Sequence, residues 1–197
     1  MIREGASAKR IARDHGPSEC RRVTEYRYIG PDAVRERSKG QPSGARIDSQ
    51  AALLAWLREQ GVTRGSITCT FVVTTAGWLR LADRHSEHVA CSGGEPVGSA
   101  GELTLRWVGA ALELEAISNL STGFCPEPAS WPVVAVALAR AELAAPESWT
   151  SAYEFRRCTA CGERNVIKDG WYACEVCDAP LPERWNFATD SAPARPQ

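Results

Sequence analysis

The stretch I-T-C-T-F-V-V-T, Ile67 to Thr74, followed by W-L-R-L-A, Trp78 to Ala82, decides the fold class. Both runs are rich in β-branched and aromatic residues, and only Thr75 to Gly77 separates them, so they predict a β-hairpin. A second hairpin follows from Leu103, Leu105 and Trp107 alternating with polar neighbours, a turn at Gly109, and Leu112 and Leu114 on the return strand. Strands of this kind bury one face, and the flanking sequence offers helices to cover it. Asp48 or Ser49 caps the first, whose apolar face holds Leu53, Leu54 and Leu57 beside Trp56, and Gly61 marks its end. The other runs from about Ser130 to Ala145, with Ser130 as its cap and Pro132 in the tolerant first turn. Upstream, T-E-Y-R-Y-I (Thr24 to Ile29) alternates like a strand and leads into Gly30-Pro31, which opens a short helix through Arg37. The economical architecture is α+β, a two-layer antiparallel sheet with covering helices.

The 197 residues, 44% hydrophobic and 24% charged, have the composition of an ordinary globular protein. The longest apolar run, Val133 to Ala139, is far short of the roughly 20 residues a membrane span needs, so no membrane partner is expected. Charge is uneven. Residues 1–40 carry ten Lys/Arg against six Asp/Glu, and residues 1–20 lack hydrophobic periodicity, which reads as a flexible basic arm. The α+β domain then spans 21–148, a small cysteine-rich unit 149–187, and a Pro-containing disordered tail 188–197. The amino terminus is charged throughout and has no apolar core of a signal peptide, so the expected compartment is the cytoplasm, where thiols stay reduced.

In that compartment the pair of knuckles C-T-A-C (Cys158, Cys161) and C-E-V-C (Cys174, Cys177) reads as a metal site, with twelve residues between them. Four thiolates so delivered suit a tetrahedral Zn²⁺. Between the knuckles, N-V-I-K, Asp169-Gly170 and W-Y-A-C predict strand, tight turn, strand. The stretch resembles zinc ribbons, a class used for nucleic-acid contact, protein contact or structural support. Residues 151–187 are too few to bury a self-sufficient core, and below about 40 residues a staple is usually required. A structural Zn²⁺ contributes on the order of 10 kcal/mol in small fingers, against about 2 to 4 for a disulfide. Iron in the same four-thiolate geometry, as in rubredoxins, is the competing metal; rubredoxins carry a glycine after the second cysteine of each pair, present here at Gly162 but replaced by Asp178, and that departure with the short spacer disfavours iron.

Two long connections hold the other reactive side chains. The first, from Ala82 to Gly101, shows no secondary-structure pattern and contains His85, Ser86, His88 and Cys91; the second contains Asn119, Ser121, Thr122 and Cys125. His85, His88, Cys91 and Cys125 are suitable types for a second metal site, and a Cys/His pair could serve as a nucleophile and base. The plainer reading is packing and hydrogen bonding inside structured loops, with no catalytic residue.

The arrangement H-S-E-H-V-A-C-S-G-G, A-G-E-L (Ala100 to Leu103) and I-S-N-L-S-T-G-F-C-P (Ile117 to Pro126) resembles a pattern in uncharacterised bacterial proteins and in the core of plant IQ-motif calmodulin-binding proteins. There the elements run H-S, A-G-G, A-G-E/R-L and S-G-H-Y-x-P. Here His85-Ser86, Gly93-Gly94, Ala100-Gly101 and Gly123 to Pro126 correspond, with Gly-Phe-Cys in place of Gly-His-Tyr. The resemblance implies an α+β core and no defined activity; calmodulin binding does not transfer, because no IQ segment is present.

No phosphate-binding glycine loop, dinucleotide fingerprint, H-E-x-x-H or G-x-S-x-G motif occurs. The sequence therefore reads as a zinc-binding protein acting as a protein-interaction or adaptor module whose partner it does not identify. The alternatives are nucleic-acid binding through ribbon and basic arm, expected to be weak and lost with salt, and an enzyme with a site in the His85–Cys91 loop. Against nucleic acid, residues 151–187 carry five Lys/Arg and six Asp/Glu, and four thiolates on Zn²⁺ add further negative charge.

Overall fold

The computed structural model describes residues 24–187, and the expectations for residues 1–20 and 188–197 lie outside them. The chain order is α1 (Asp32–Ser38), β1 (Ala45–Ile47), α2 (Gln50–Glu59), β2 (Ser66–Thr74), β3 (Leu79–Asp83) and α3 (His88–Ser92). It continues with β4 (Val97–Val108), β5 (Ala111–Ser118), a 3₁₀ turn (Pro128–Ser130), α4 (Trp131–Arg140), β6 (Glu154–Arg157) and β7 (Arg164–Ile167). Both hairpins belong to one antiparallel five-stranded sheet, in the order β1-β3-β2-β4-β5, so the fold is α+β. Strand β2 is central. It opposes β3 with Phe71 facing Leu81, and β4 with Phe71 facing Gly101.

Alternation along β2 sorts its side chains between two faces. Cys69, Phe71 and Val73 join Leu79, Leu81, Leu103 and Leu105 in the main core, which α2 covers with Leu53 and Leu57 and α4 with Val134 and Leu138. Trp149 closes this core, 6.4 Å from the Phe71 ring and 5.0 Å from Trp131, its indole donating to the Pro128 carbonyl. On the opposite face Val72 and Ala100 are covered by Val89 and Cys91 of α3 and by Tyr26 and Phe124. The Thr24–Ile29 segment is an extended strap that forms a two-bond bridge from Tyr26 to Val97 and donates from Ile29 N–H to the Gly123 carbonyl.

Helix α2 starts and stops where its residues dictate. Ser49 Oγ accepts from the Ala52 amide at 3.2 Å, and Gly61 takes a φ of 72° while Val62 N–H returns to the Leu57 carbonyl. Helix α4 begins after Ser130 as expected and ends at Arg140, short of Ala145. Ser130 does not cap it; its hydroxyl donates to the Glu127 carbonyl within the preceding 3₁₀ turn and meets Ser99 Oγ at 2.9 Å. The chain leaves the helix after Arg140 because Glu142 adopts a φ of 58°, so that Leu143 N–H bonds the Leu138 carbonyl and both leucines stay in the core. That is the same closing arrangement as at Gly61, without the glycine that would announce it. The Ala82–Gly101 connection also differs from expectation, since it contains the single-turn helix α3 and the first residues of β4.

Gly101 has no room for a side chain. A Cβ there would collide with the Ser118 carbonyl and Asn119 Cα, where the chain leaving β5 crosses β4. Gly101→Ala should therefore destabilise the protein by about 2 kcal/mol or more, through displacement of the 118–119 backbone. Equilibrium denaturation checks this, and a loss under about 0.5 kcal/mol would show that the crossing yields freely.

Candidate metal centre and the seam that seats it

The cysteine-rich unit is two small hairpins, each closed by one knuckle. In the first, Cys158 N–H donates to the Glu163 carbonyl and Gly162 N–H to the Cys158 carbonyl, between β6 and β7. In the second, Cys174 N–H donates to Ala179 and Asp178 N–H to the Cys174 carbonyl. Gly162 and Asp178 occupy the same place in the two loops and share a left-handed backbone, φ 79° and 57°. The Asp-Gly turn forms as expected, with φ 51° and 68° and Trp171 N–H on the Lys168 carbonyl, but the hairpin it closes stops at the single Lys168–Trp171 pair. The W-Y-A-C stretch pairs forward, through the Ala173–Pro180 bridge and Leu181 N–H on Tyr172, while β7 pairs back to β6.

This symmetry brings the four sulfurs together. Cys158 and Cys177 lie 3.6 Å apart, Cys161 and Cys174 also 3.6 Å, and all four sulfurs are within 4.8 Å of one another. Disulfide sulfurs stand about 2.05 Å apart, whereas tetrahedral Zn–S bonds of about 2.3 Å separate sulfurs by about 3.8 Å. The spacing fits four ligands on one ion. Cys158 and Cys174 are buried, Cys161 and Cys177 exposed. The amides of Val176 and then Cys177 favour the Cys174 thiolate and hold its pKa down at about 6, with Asn165 adding a further donor. Cys158 is lowered in the same way, first by the Cys161 amide, against the penalty of burial. Asn165 also ties the loops together: Nδ2 reaches Cys174 Sγ and the Glu163 carbonyl, and Oδ1 accepts from Glu175 N–H.

Among the described residues these four cysteines are the sole cluster of metal-ligand type. The two loops singled out in the sequence do not assemble a second one. His85 is exposed, with its amide on Asp83 Oδ1, and the Ser86 carbonyl accepts from Thr70. His88 is half-buried, its Nε2 3.0 Å from the Gly101 carbonyl; because a carbonyl only accepts, the proton sits on Nε2. Cys91 lies under α3 against the sheet, and Cys125 sits in a separate cluster with Phe155 and Phe187. Apolar burial pushes the thiols of Cys69, Cys91 and Cys125 up to about 12, the reverse of what a nucleophile needs.

The second loop has a different task, which is to seat the ribbon. Asn119 is fully buried; its Nδ2 donates to the Pro126 and Tyr153 carbonyls and its Oδ1 accepts from the Tyr153 amide, at 2.7 to 2.8 Å. Trp185 Nε1 donates to the Cys125 carbonyl, and its ring meets Tyr26 edge-on at 5.5 Å. Arg164 reaches the Thr122 carbonyl at 2.6 Å. Ser121 is buried and its hydroxyl has no partner among the described residues. Asn165, Trp185 and Asn186, which bonds both backbone groups of Arg157, carry no motif and were invisible at the level of spacing.

No protein-family model, curated protein or solved structure matches the chain.

Cys69, Cys91 and Cys125 should stay unmodified by a thiol-specific disulfide reagent near neutral pH while the protein is folded, and react on denaturation. Mass mapping of the labelled sites checks this. Rapid labelling of Cys91, abolished by His88→Ala, would reinstate a nucleophilic site.

A second expectation concerns acid. Burial lowers the His88 pKa below its ordinary 6.5, despite the Gly101 bond and the nearby Glu102 and Glu87. The unfolded chain then binds a proton that the folded chain refuses, so the His88 contribution is intact above pH 6.5, declines as pH falls below it, and levels off beneath the folded pKa. His88→Gln should flatten that part of the stability profile, measured by denaturation at about pH 5 and about pH 8. Parallel profiles for the two proteins would refute it.

Proposed function

We propose that Cys158, Cys161, Cys174 and Cys177 hold one Zn²⁺ and that the protein is a cytoplasmic adaptor whose ribbon docks a protein partner. The observation that carries the metal reading is the mutual approach of four sulfurs within 4.8 Å, at a spacing suited to tetrahedral thiolates. When bound, the ion would supply a cross-link between two hairpins that share no continuous sheet.

Support for a protein partner comes from what the ribbon presents and what it withholds. Trp171 is 74% exposed at the tip of the Asp-Gly turn and Val176 is 68% exposed within the second knuckle. Tryptophan is enriched, with tyrosine and arginine, among the residues that anchor interfaces. Three of the ribbon's five cations are engaged within the protein. Lys168 pairs with Glu175, Arg164 bonds Thr122, and Arg156 is buried against Glu154 and the Glu183 carbonyl with Tyr172 beneath it. The engagement of Arg156, Arg164 and Lys168 leaves few cations to accompany base stacking on Trp171 and Tyr172, and this favours protein over nucleic acid as the partner.

Protein purified from cells supplied with both zinc and iron should contain one zinc per chain, absent from Cys158→Ala and Cys174→Ala. Chelation should unfold the two knuckles, seen as loss of amide dispersion confined to residues 158–181, while the seam and the sheet keep their exchange protection. A metal-free preparation, or a mapped disulfide between any two of the four, would sink the metal reading. Affinity capture from the native host with wild type and Trp171→Ala tests the adaptor reading, whose expected result is a partner retained by the first and lost by the second.

A further inference from the structure

One cavity has no ribbon residue in its lining, although Tyr26 in its wall meets Trp185 of the ribbon. It is a groove of about 540 Å³ running along α4, within the roughly 300 to 1,000 Å³ of small-ligand sites. Pro132, Val133 and Val136 form its apolar floor on one helical stripe, and Val136 is 52% exposed. Thr24 and Tyr26 of the strap line the facing wall. Ala76 and Gly77 of the β2–β3 turn close one end.

The two ends carry opposite charges. Arg140 stands at the carboxyl end of α4 and Glu127 just before its amino end, and neither enters an ion pair among the described residues. Arg140 is held in place. Its Nη1 donates to the Ala76 and Gly77 carbonyls at 3.3 and 2.9 Å, and its guanidinium lies 5.1 Å from the centre of the Trp78 ring. Gly77 leaves room for it, since a Cβ there would stand 2.7 Å from Nη1. Nε and Nη2 make no hydrogen bond among the described residues, so the preorganised edge of the guanidinium remains for a carboxylate.

Length then selects the kind of ligand. Ten residues of helix rise about 15 Å, which an extended peptide covers in about five residues. From this groove we infer a peptide-binding site: it takes an extended apolar segment of about five residues, its carboxylate on Arg140 and its amino or basic end at Glu127. The apolar stripe supplies burial and the two charges set direction. A longer fatty acid would satisfy Arg140 but leave Glu127 facing hydrocarbon.

The test uses the full-length, zinc-loaded protein and a pentapeptide library with Lys first, Ala, Val, Leu or Phe at the three central positions, Ala last and a free carboxyl terminus. Retained peptides are resynthesised with free and amidated termini and titrated by calorimetry and amide chemical shift. The expected result is saturable binding that shifts Gly77, Gly98 and Val136 and weakens at least about tenfold on amidation. Arg140→Gln should weaken the free acid by a similar factor and make amidation irrelevant, and Val136→Asp should abolish binding of either form. Amidation needs no change in the protein, so it decides the matter even where a variant folds poorly. No retained peptide at about 1 mM, or binding indifferent to amidation and to Arg140→Gln, would overturn the assignment. Decanoate binding as tightly as the peptides and competing with them would replace the peptide by a small apolar acid.

Discussion

The relation of ribbon to sheet depends on one buried amide. Asn119 stands immediately after β5, and its side chain makes the hydrogen bonds that a neighbouring strand would otherwise make, accepting from the Tyr153 amide and donating to the Tyr153 and Pro126 carbonyls. An unpaired buried amide or carbonyl costs on the order of 1 to 3 kcal/mol, so three of them at one point leave the joining chain little freedom. Phe155 and Phe187 then pack from the ribbon side against Cys125, with Leu120 and Ile29 from the domain. Asn186 bonds both backbone groups of Arg157 in the same manner, and Asn165 bridges the two knuckles. Asn119 and Asn186 thus stand in for a strand where strands end, while Asn165 works from within β7.

This arrangement divides the stabilisation of the ribbon between two ends. At the seam, apolar burial and the Asn119 bonds hold β6 and the returning Trp185 segment against the domain. At the far end little is buried: Leu181 and two of the four cysteines are the whole core, and Trp171, Val176, Cys161 and Cys177 face solvent. An ion held by the four sulfurs would cross-link that end. The seam would survive its removal better than the knuckles, and for that reason metal loss reads as local unfolding and not as detachment of the unit.

Much of the sheet was legible because hydrophobic alternation and turn chemistry agreed with the tertiary context. The two hairpins, the Ser49 cap and the Gly61 stop all rest on local signals that the fold leaves intact. Legibility failed where a local signal was absent or misassigned. Helix α3 has five residues, too few for periodicity to register. The end of α4 relies on Glu142 in a left-handed conformation, which a sequence reader expects of glycine. Ser130 looked like a cap, but a neighbouring hydroxyl at Ser99 and the 3₁₀ turn claimed it first. The polar loop at Asn119 to Cys125 looked reactive from composition alone. Its polarity serves backbone satisfaction at the seam, a requirement visible only once β5 and the ribbon are brought together.

The cysteines show most directly how one residue type is divided between two physical states. Cys69, Cys91 and Cys125 sit among apolar neighbours, and desolvation keeps them as thiols. Cys174 meets the amides of Val176 and Cys177, and Cys158 those of Cys161 and Ala160, because a knuckle that turns back over two residues points its following N–H groups at the first sulfur. The same turn leaves the residue after the second cysteine in a left-handed conformation, which Gly162 adopts freely and Asp178 reaches by the tolerance of a short polar side chain. Asp178 therefore preserves the knuckle geometry, and its presence in place of glycine says nothing against either metal. The donor set, four sulfurs within 4.8 Å with amide donors behind the buried pair, accepts either ion, so the choice between zinc and iron falls to metal availability, as the growth with both metals tests.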